Sequence, residues 1–279
     1  MSAGRLYMLS TPIGHLGDFS FRGLEVLRAA AVVAAEDTRR TRRLLAHYRV
    51  APALVSLHAH SRPAVLERLL DRVEAGEDVA YVTDAGTPGV ADPGAALAAR
   101  AHERGLTVIP VPGPAAVLAA LAATGFPADR FVFAGFLPRR GEARRALLAR
   151  VAAEPWTSVC YEAPLRTVAL LEDLAAACGA DRPAAVAREL TKVHEEIRCG
   201  TAGALAQYYR EHPPRGEVTV VVGGAPRASA AAGPAEAPAA AGELVAALRA
   251  AGAPPGAIAK ELARRLGISR HDAYRLLTE

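Results

Sequence analysis

The chain has 279 residues, 51% of them hydrophobic and 5% aromatic, with a formal net charge of +4. That is enough apolar material for a sizeable core in one or two domains plus an appendage. The apolar runs are too short and too broken by charge for a transmembrane helix, and Cys160, Cys178 and Cys199 are too few and scattered for a disulfide framework or a C-x-x-C zinc site.

Strand-like and helix-like segments alternate from the start. Residues 6–10 read as a strand and 21–30 as a helix, followed by a strand at 32–35 and a helix at 41–48. A short strand at 54–57 precedes a helix at 63–75, whose Val65, Leu66, Leu69, Leu70 and Val73 share one face. Strands at 79–83 and 107–111 flank a helix at 94–104. Pro112-Gly113-Pro114 punctuates the chain and marks a domain boundary, so that residues 1–113 and 114–224 read as two α/β domains. The second half continues with a helix at 115–123, a strand at 131–136, a helix at 142–152, a strand at 158–161, a helix at 166–178 and a strand at 185–188. Residues 195–199, a helix at 202–209 and the strong strand 218–222 close it. This alternation predicts open sheets with helices on both faces.

Residues 225–241 are rich in Ala and Pro and read as a linker. Beyond it, residues 242–279 carry three short helical patterns. Gly267 as the turn and Ser269 as an N-cap between two of them give helix-turn-helix grammar.

Ligands of open α/β sheets collect beyond the carboxyl ends of the strands. Four loops there are unusually rich in Gly, Pro or polar residues: Ser10–Asp18, Glu36–Arg43, Asp84–Gly94 and Pro110–Ala116. None carries a P-loop or a G-x-G-x-x-G fingerprint. Together they predict a ligand cleft in which glycine lets backbone approach an adenosyl group closely. Two arginine clusters, Arg39/Arg40/Arg42/Arg43 and Arg139/Arg140/Arg144/Arg145/Arg150, each follow a loop and suit a phosphate-tracking surface.

The segments TPIGHLGDFSFRGLEVL, AAEDTRRTRRLL, VTDAGTPGVADPG, PVPGPAAVLAAL, DRFVFAGFLPRR, YEAPLRT, VARELTKVHEE and GEVTVVVGG occur in that order. In this order they resemble the tetrapyrrole-methylase-like class of S-adenosylmethionine-dependent methyltransferases, and within it the ribosomal RNA small subunit methyltransferase I family, whose members are 16S rRNA (cytidine-2′-O)-methyltransferases. The resemblance spans residues 5–224, and the helical tail also fits that family. The first loop departs from the usual pattern, with His15 where the family has Asn, and so does the stretch around His58.

The resemblance implies two α/β domains of the tetrapyrrole-methylase type, with S-adenosylmethionine in the cleft between them. Pro12 would lie beneath it. Asp84, Ala85, Gly86 and Thr87 would contact its methionine or ribose part, with Val90 packed against it. Ala115 and Ala116 would cap it, and Tyr161, Ala187 and Leu190 would line the adenine side. It also implies 16S rRNA within the 30S subunit as partner, a homodimer, a cytoplasmic location, and neither metal nor membrane. For the acceptor, the Glu36-Asp37-Thr38-Arg39 segment is the favoured element. Asp37 would accept a proton or orient the ribose, beside Glu36, and Arg39 would hold a phosphate; capping the next helix is the plain alternative for Asp37. Arg40, Arg43, His58, Arg139, Arg140 and Lys192 complete the expected RNA contacts. A tetrapyrrole methyltransferase and a non-catalytic cofactor-sensing regulator that binds nucleic acid are the competing readings.

Overall fold

A computed structural model describes residues 3–226, 245, 248–250, 252–266 and 273. Residues 1–225 form one compact unit and 226–279 another.

The first unit holds two five-stranded sheets. The first contains β1 (Arg5–Leu9), β2 (Val32–Ala35), β3 (Leu54–Ser56), β4 (Val79–Val82) and β5 (Thr107–Val111), in the order β3-β2-β4-β1-β5. Every pairing in it is parallel. The connecting helices are α1 (Phe21–Ala29), α2 (Thr38–His47), α3 (Pro63–Glu74) and α4 (Gly94–Glu103). They cover both faces, so β2 and β4 are buried along their whole length. Unbroken runs such as Val32-Val33-Ala34-Ala35 therefore make strands with no polar side. On one face Leu6, Val79 and Tyr81 pack against Leu69, Leu70 and Leu97. On the other, Leu9, Val33 and Val82 pack against Leu27, Leu44 and Leu45.

The second sheet contains β6 (Phe131–Phe136), β7 (Thr157–Glu162), β8 (Pro183–Arg188), β9 (Glu196–Thr201) and β10 (Val218–Val222), ordered β6-β7-β10-β8-β9. Only β6 and β7 pair in parallel; β10 runs against both β7 and β8, and β8 against β9. No helix separates β8 from β9, and strands joined without a crossover pair antiparallel. Helices α6 (Glu142–Ala153), α7 (Thr167–Cys178) and α8 (Ala202–Glu211) cover one face, and α5 (Ala116–Thr124) the other. Ile13, from the loop after β1, is buried in the core formed by α5 and the second sheet, beside Val117, Leu121, Val159 and Ala187.

In the second unit α9 (Pro255–Leu266) supplies Ile258, Ala259 and Leu262 to a small core with Val245 and Ala273. Residues 227–241 of the segment read as a linker at 225–241, the Gly267 turn and the Ser269 cap lie outside the described residues. Among the described residues no helix is long and apolar enough to cross a membrane.

Candidate functional site

The four loops singled out above are tied to one another by short bonds. Thr11 and Gly86 exchange two backbone hydrogen bonds, of 2.9 and 3.0 Å, bridging the loops after β1 and β4. The Ser10 hydroxyl donates to Thr87 Oγ1 at 3.3 Å, and Thr87 donates in turn to the Pro114 carbonyl at 3.1 Å, which brings in the loop after β5. The loop after β2 is held from both directions. Glu36 Oε2 accepts the Thr83 hydroxyl at 3.0 Å and the Asp84 N–H at 3.4 Å, while Asp84 Oδ1 accepts the Asp37 N–H at 2.8 Å.

Gly86 has φ of +88°, a conformation that L side chains adopt only with strain. Asp92 stiffens the rest of the loop. Its carboxylate accepts the N–H of Gly89 and of Gly94 and the hydroxyl of buried Tyr81. Pro93 takes the N-cap position of α4, and Asp92 acts as an internal brace.

These loops wall a cavity of about 320 Å³ whose other side is the second sheet. Of the residues expected around a cofactor, Asp84, Ala85, Gly86, Thr87, Val90, Ala115, Ala116 and Tyr161 line it. Glu36 and Arg40, expected on the acceptor side, line it too. Pro12 lies instead on a neighbouring cavity of about 400 Å³, with Arg40, Arg43 and Lys192. Ala187 and Leu190 are buried and border only a small void of about 20 Å³ behind Ile13 and Ala116. Asp37, Arg39, His58, Arg139 and Arg140 line none of these three cavities.

Several wall residues lie in the segments quoted above but were not among the expected site residues: Ile13, Thr83, Phe136, Gly216, Glu217 and Thr219. Phe136 and Phe133 contact the Tyr161 ring at centroid distances of 5.5 and 4.9 Å, giving an aromatic face. Burial pushes the Tyr161 hydroxyl above its ordinary pKa.

Asp37 caps α2, accepting the Arg39 N–H at 2.8 Å, and its other oxygen pairs with the Arg39 guanidinium at 2.8 Å. That side-chain bond to Arg39 holds the carboxyl far below the usual carboxylate range. Such a group is a weak proton acceptor at neutral pH and a good orienting anchor. His58 Nδ1 accepts the His60 N–H at 3.1 Å, a local turn contact. No group of His, Cys, Asp and Glu able to hold a metal occurs among the described residues. His15, where the resemblance calls for Asn, still accepts a backbone bond, from Gly17 N–H at 3.1 Å.

The loop joining β8 to β9 closes over the first loop. Glu189 and Thr191 sit at φ of 49° and 63°, strained for residues with a side chain. The Thr191 hydroxyl accepts the His15 N–H at 3.0 Å. A Cβ on Gly14 would fall 2.5 Å from Lys192 Cγ, so only glycine permits this approach. Lys192 Nζ lies 2.8 Å from Glu189 and 3.1 Å from Glu217. Partial burial pushes its ammonium pKa down, but these two carboxylates outweigh that and raise it, so the group stays charged.

Not every arginine of the second cluster faces solvent. Arg139 and Arg140 are exposed, but Arg144 is buried. It donates to Asp173 at 2.8 Å and to the Pro138 carbonyl at 3.0 Å, and lies 3.9 Å from Glu162, which Arg166 also pairs.

A sequence profile of the tetrapyrrole (corrin/porphyrin) methylases matches residues 5–206. A Synechocystis protein named ribosomal RNA small subunit methyltransferase I is 45% identical over 222 residues, covering 80% of each chain. A Mesorhizobium japonicum protein of the same name is 42% identical over 275 residues, 98% of this chain and 91% of the relative. The chain belongs to the ribosomal RNA small subunit methyltransferase I family. The family's fold is shared more widely. A Thermus thermophilus uroporphyrin-III C-methyltransferase, solved with S-adenosylhomocysteine, superposes with a TM-score of 0.58 at 19% identity, over 79% of this chain and 97% of that one. The two-sheet α/β architecture expected from the sequence is thus the tetrapyrrole-methylase fold.

Proposed function

We propose that this protein transfers a methyl group from S-adenosylmethionine to the ribose 2′-hydroxyl of a cytidine in 16S rRNA, acting on the 30S subunit in the cytoplasm as a homodimer. Family membership over nearly the whole chain carries the reading, and the chemistry of the cavity fits the cofactor. Tyr161 and Phe136 offer an aromatic face for adenine. The Gly86 backbone and the Asp84 and Thr87 side chains suit ribose hydroxyls and a methionine ammonium. The carboxylates of Glu36, Asp84 and Asp92 on the wall favour a cation. When bound, S-adenosylmethionine supplies an electrophilic methyl on a positively charged sulfur.

The residues of this chain then have to position the acceptor, since alignment supplies much of the rate in such a displacement. Asp37 and Arg39 act as a pair. Asp37 fixes the start of α2 and the guanidinium, and Arg39 and Arg40 meet the RNA backbone. Arg43, Lys192, Arg139 and Arg140 extend the cationic rim, and His58 stands on the same loop edge.

The test is tritium transfer from labelled S-adenosylmethionine to 30S subunits, naked 16S rRNA and a porphyrin precursor, followed by nucleoside analysis. Ribose-methylated cytidine from 30S subunits is expected. Label in the porphyrin, or on a base, would reject the reading. Asp37→Ala is expected to lower transfer at least tenfold while calorimetric binding of S-adenosylhomocysteine stays within twofold. Full retention of activity would remove Asp37 from the acceptor side.

A further inference from the structure

The cleft holds two cavities. The smaller carries carboxylates, threonines and Arg40 but is otherwise apolar and aromatic, with Val90, Ala115, Phe136 and Tyr161 on its wall. The larger, of about 400 Å³, is cationic, with Arg40, Arg43 and Lys192 on its wall. They are neighbours in a strict sense, because Ile13, Arg40, Thr83, Asp84, Ala85 and Glu217 line both. Molecules seated in the two cavities would meet across that shared wall.

We propose that the cationic cavity is the acceptor subsite. It takes a single unstacked ribonucleotide, with the phosphate against Arg43 and Lys192 and a ribose hydroxyl donating to Glu217. This rests on the methyltransferase reading above and specifies where its second substrate sits.

Four observations carry the assignment. First, the volume lies in the range of small-ligand pockets, about 300–1,000 Å³. A cavity of that size admits a nucleotide drawn out of a helix and not a duplex. Second, Arg43 makes no ion pair or side-chain hydrogen bond among the described residues. A cation on a cavity wall without a partner is free to meet a phosphate. Third, Lys192 is fixed by Glu189 and Glu217 and kept protonated, so it presents a positioned charge. Fourth, Glu217 is reached by Lys192 Nζ, from the loop between β8 and β9, at 3.1 Å and by Arg40 Nη1, from α2, at 4.0 Å, and its N–H donates to Glu189 at 2.9 Å. Held this way, its carboxylate stands at the junction of the two cavities, where an attacking hydroxyl has to be oriented. Asp37 borders neither cavity.

The test uses the full-length protein and two readouts, the apparent KM and kcat for unmethylated 30S subunits and the calorimetric Kd for S-adenosylhomocysteine. Arg43→Ala and Lys192→Ala are each expected to raise KM at least tenfold with Kd within twofold of the parent. Glu217→Gln is expected to lower kcat at least tenfold with KM within threefold. Arg43 has no partner to lose, so its variant probes binding without disturbing the fold. KM within twofold of the parent in both cation variants would overturn the proposal. So would a parallel tenfold rise in Kd, which would mean that one ligand fills both cavities. A parent protein that binds S-adenosylhomocysteine yet transfers no methyl to 30S subunits or 16S rRNA would refute the functional reading itself, and the subsite with it.

Discussion

Replacing Gly86 by alanine separates the fold's need for this glycine from the ligand's. A Cβ there would meet Ile13 Cγ2 at 3.5 Å and the Pro114 carbonyl oxygen at 3.8 Å, ordinary contact distances. The penalty therefore comes from the backbone, at φ of +88°, and left-handed conformations cost a side-chain-bearing residue about 1–2 kcal/mol. Gly105, in the turn between α4 and β5, has φ of +69° and nothing within 4 Å of its would-be Cβ, so Gly105→Ala carries a similar strain outside the cleft. For a unit of this size each kcal/mol moves Tm by about 2–4 °C. Both variants should then melt about 2–8 °C below the parent by calorimetry. They should differ in binding. Relieving strain at Gly86 pulls on its paired bonds with Thr11 and shifts the cavity wall, so Kd for S-adenosylhomocysteine should rise at least fivefold. Gly105→Ala should leave Kd within twofold. Equal Kd values in the two variants, or no loss of Tm in Gly86→Ala, would refute the reasoning.

Tyr161→Ala should weaken S-adenosylhomocysteine binding at least tenfold in calorimetry and Tyr161→Phe less than threefold, because the ring face and its contacts with Phe133 and Phe136 are what the cavity uses. Acid should destabilise the protein in a defined window. Asp37, through its bond to Arg39, is held below its ordinary pKa. For Glu189 and Glu196 burial pushes the other way but is outweighed by Lys192 and Arg188 respectively. Depressed folded-state values contribute stability that is present above about pH 4.5 and lost as pH falls through them, so Tm should hold from pH 8 to 5 and drop toward pH 3. A Tm that rises on acidification from 5 to 3 would contradict this. Burial pushes the Cys160 thiol up to about 12, whereas Cys199 is exposed, so iodoacetamide at pH 8 should label Cys199 and spare Cys160 in the native protein, as read by peptide mass spectrometry.

Apolar runs with no polar side were the most legible part of the sequence. Residues 32–35, 131–136 and 218–222 form strands with those bounds. Helix α2 begins at Thr38, where periodicity alone starts it at Thr41, because the Asp37 cap supplies the first turn's bond while Thr-Arg-Arg shows no apolar face. The cavity was half legible, for a geometric reason. Looking beyond the carboxyl ends of strands finds the loops after β1, β2, β4 and β5, since the first sheet is wholly parallel. β10 runs against β7, with Val218 opposite Glu162, so it is the beginning of β10 that faces the cleft. Gly216, Glu217 and Thr219 therefore enter the wall from a strand's amino end, where the rule does not look. The fate of Arg144 was hidden for a different reason: it belongs to the same arginine cluster as its exposed neighbours, but tertiary bonds to Asp173 and the Pro138 carbonyl take up its guanidinium.

Ile13 ties the ligand site to the cooperativity of the whole unit. It leaves the first sheet and ends in the core of the second, 7% exposed, together with partly buried Ala85. Neither half can then complete its apolar interior alone. Residues 1–225 should melt as one calorimetric transition, and a ligand that grips the loops on either side of Ile13 should raise the melting of both sheets at once. A fragment cut at the Pro112-Gly113-Pro114 junction would leave Ile13 in water and a hole in the separated second half. Such halves should aggregate when expressed apart and recover structure when expressed together.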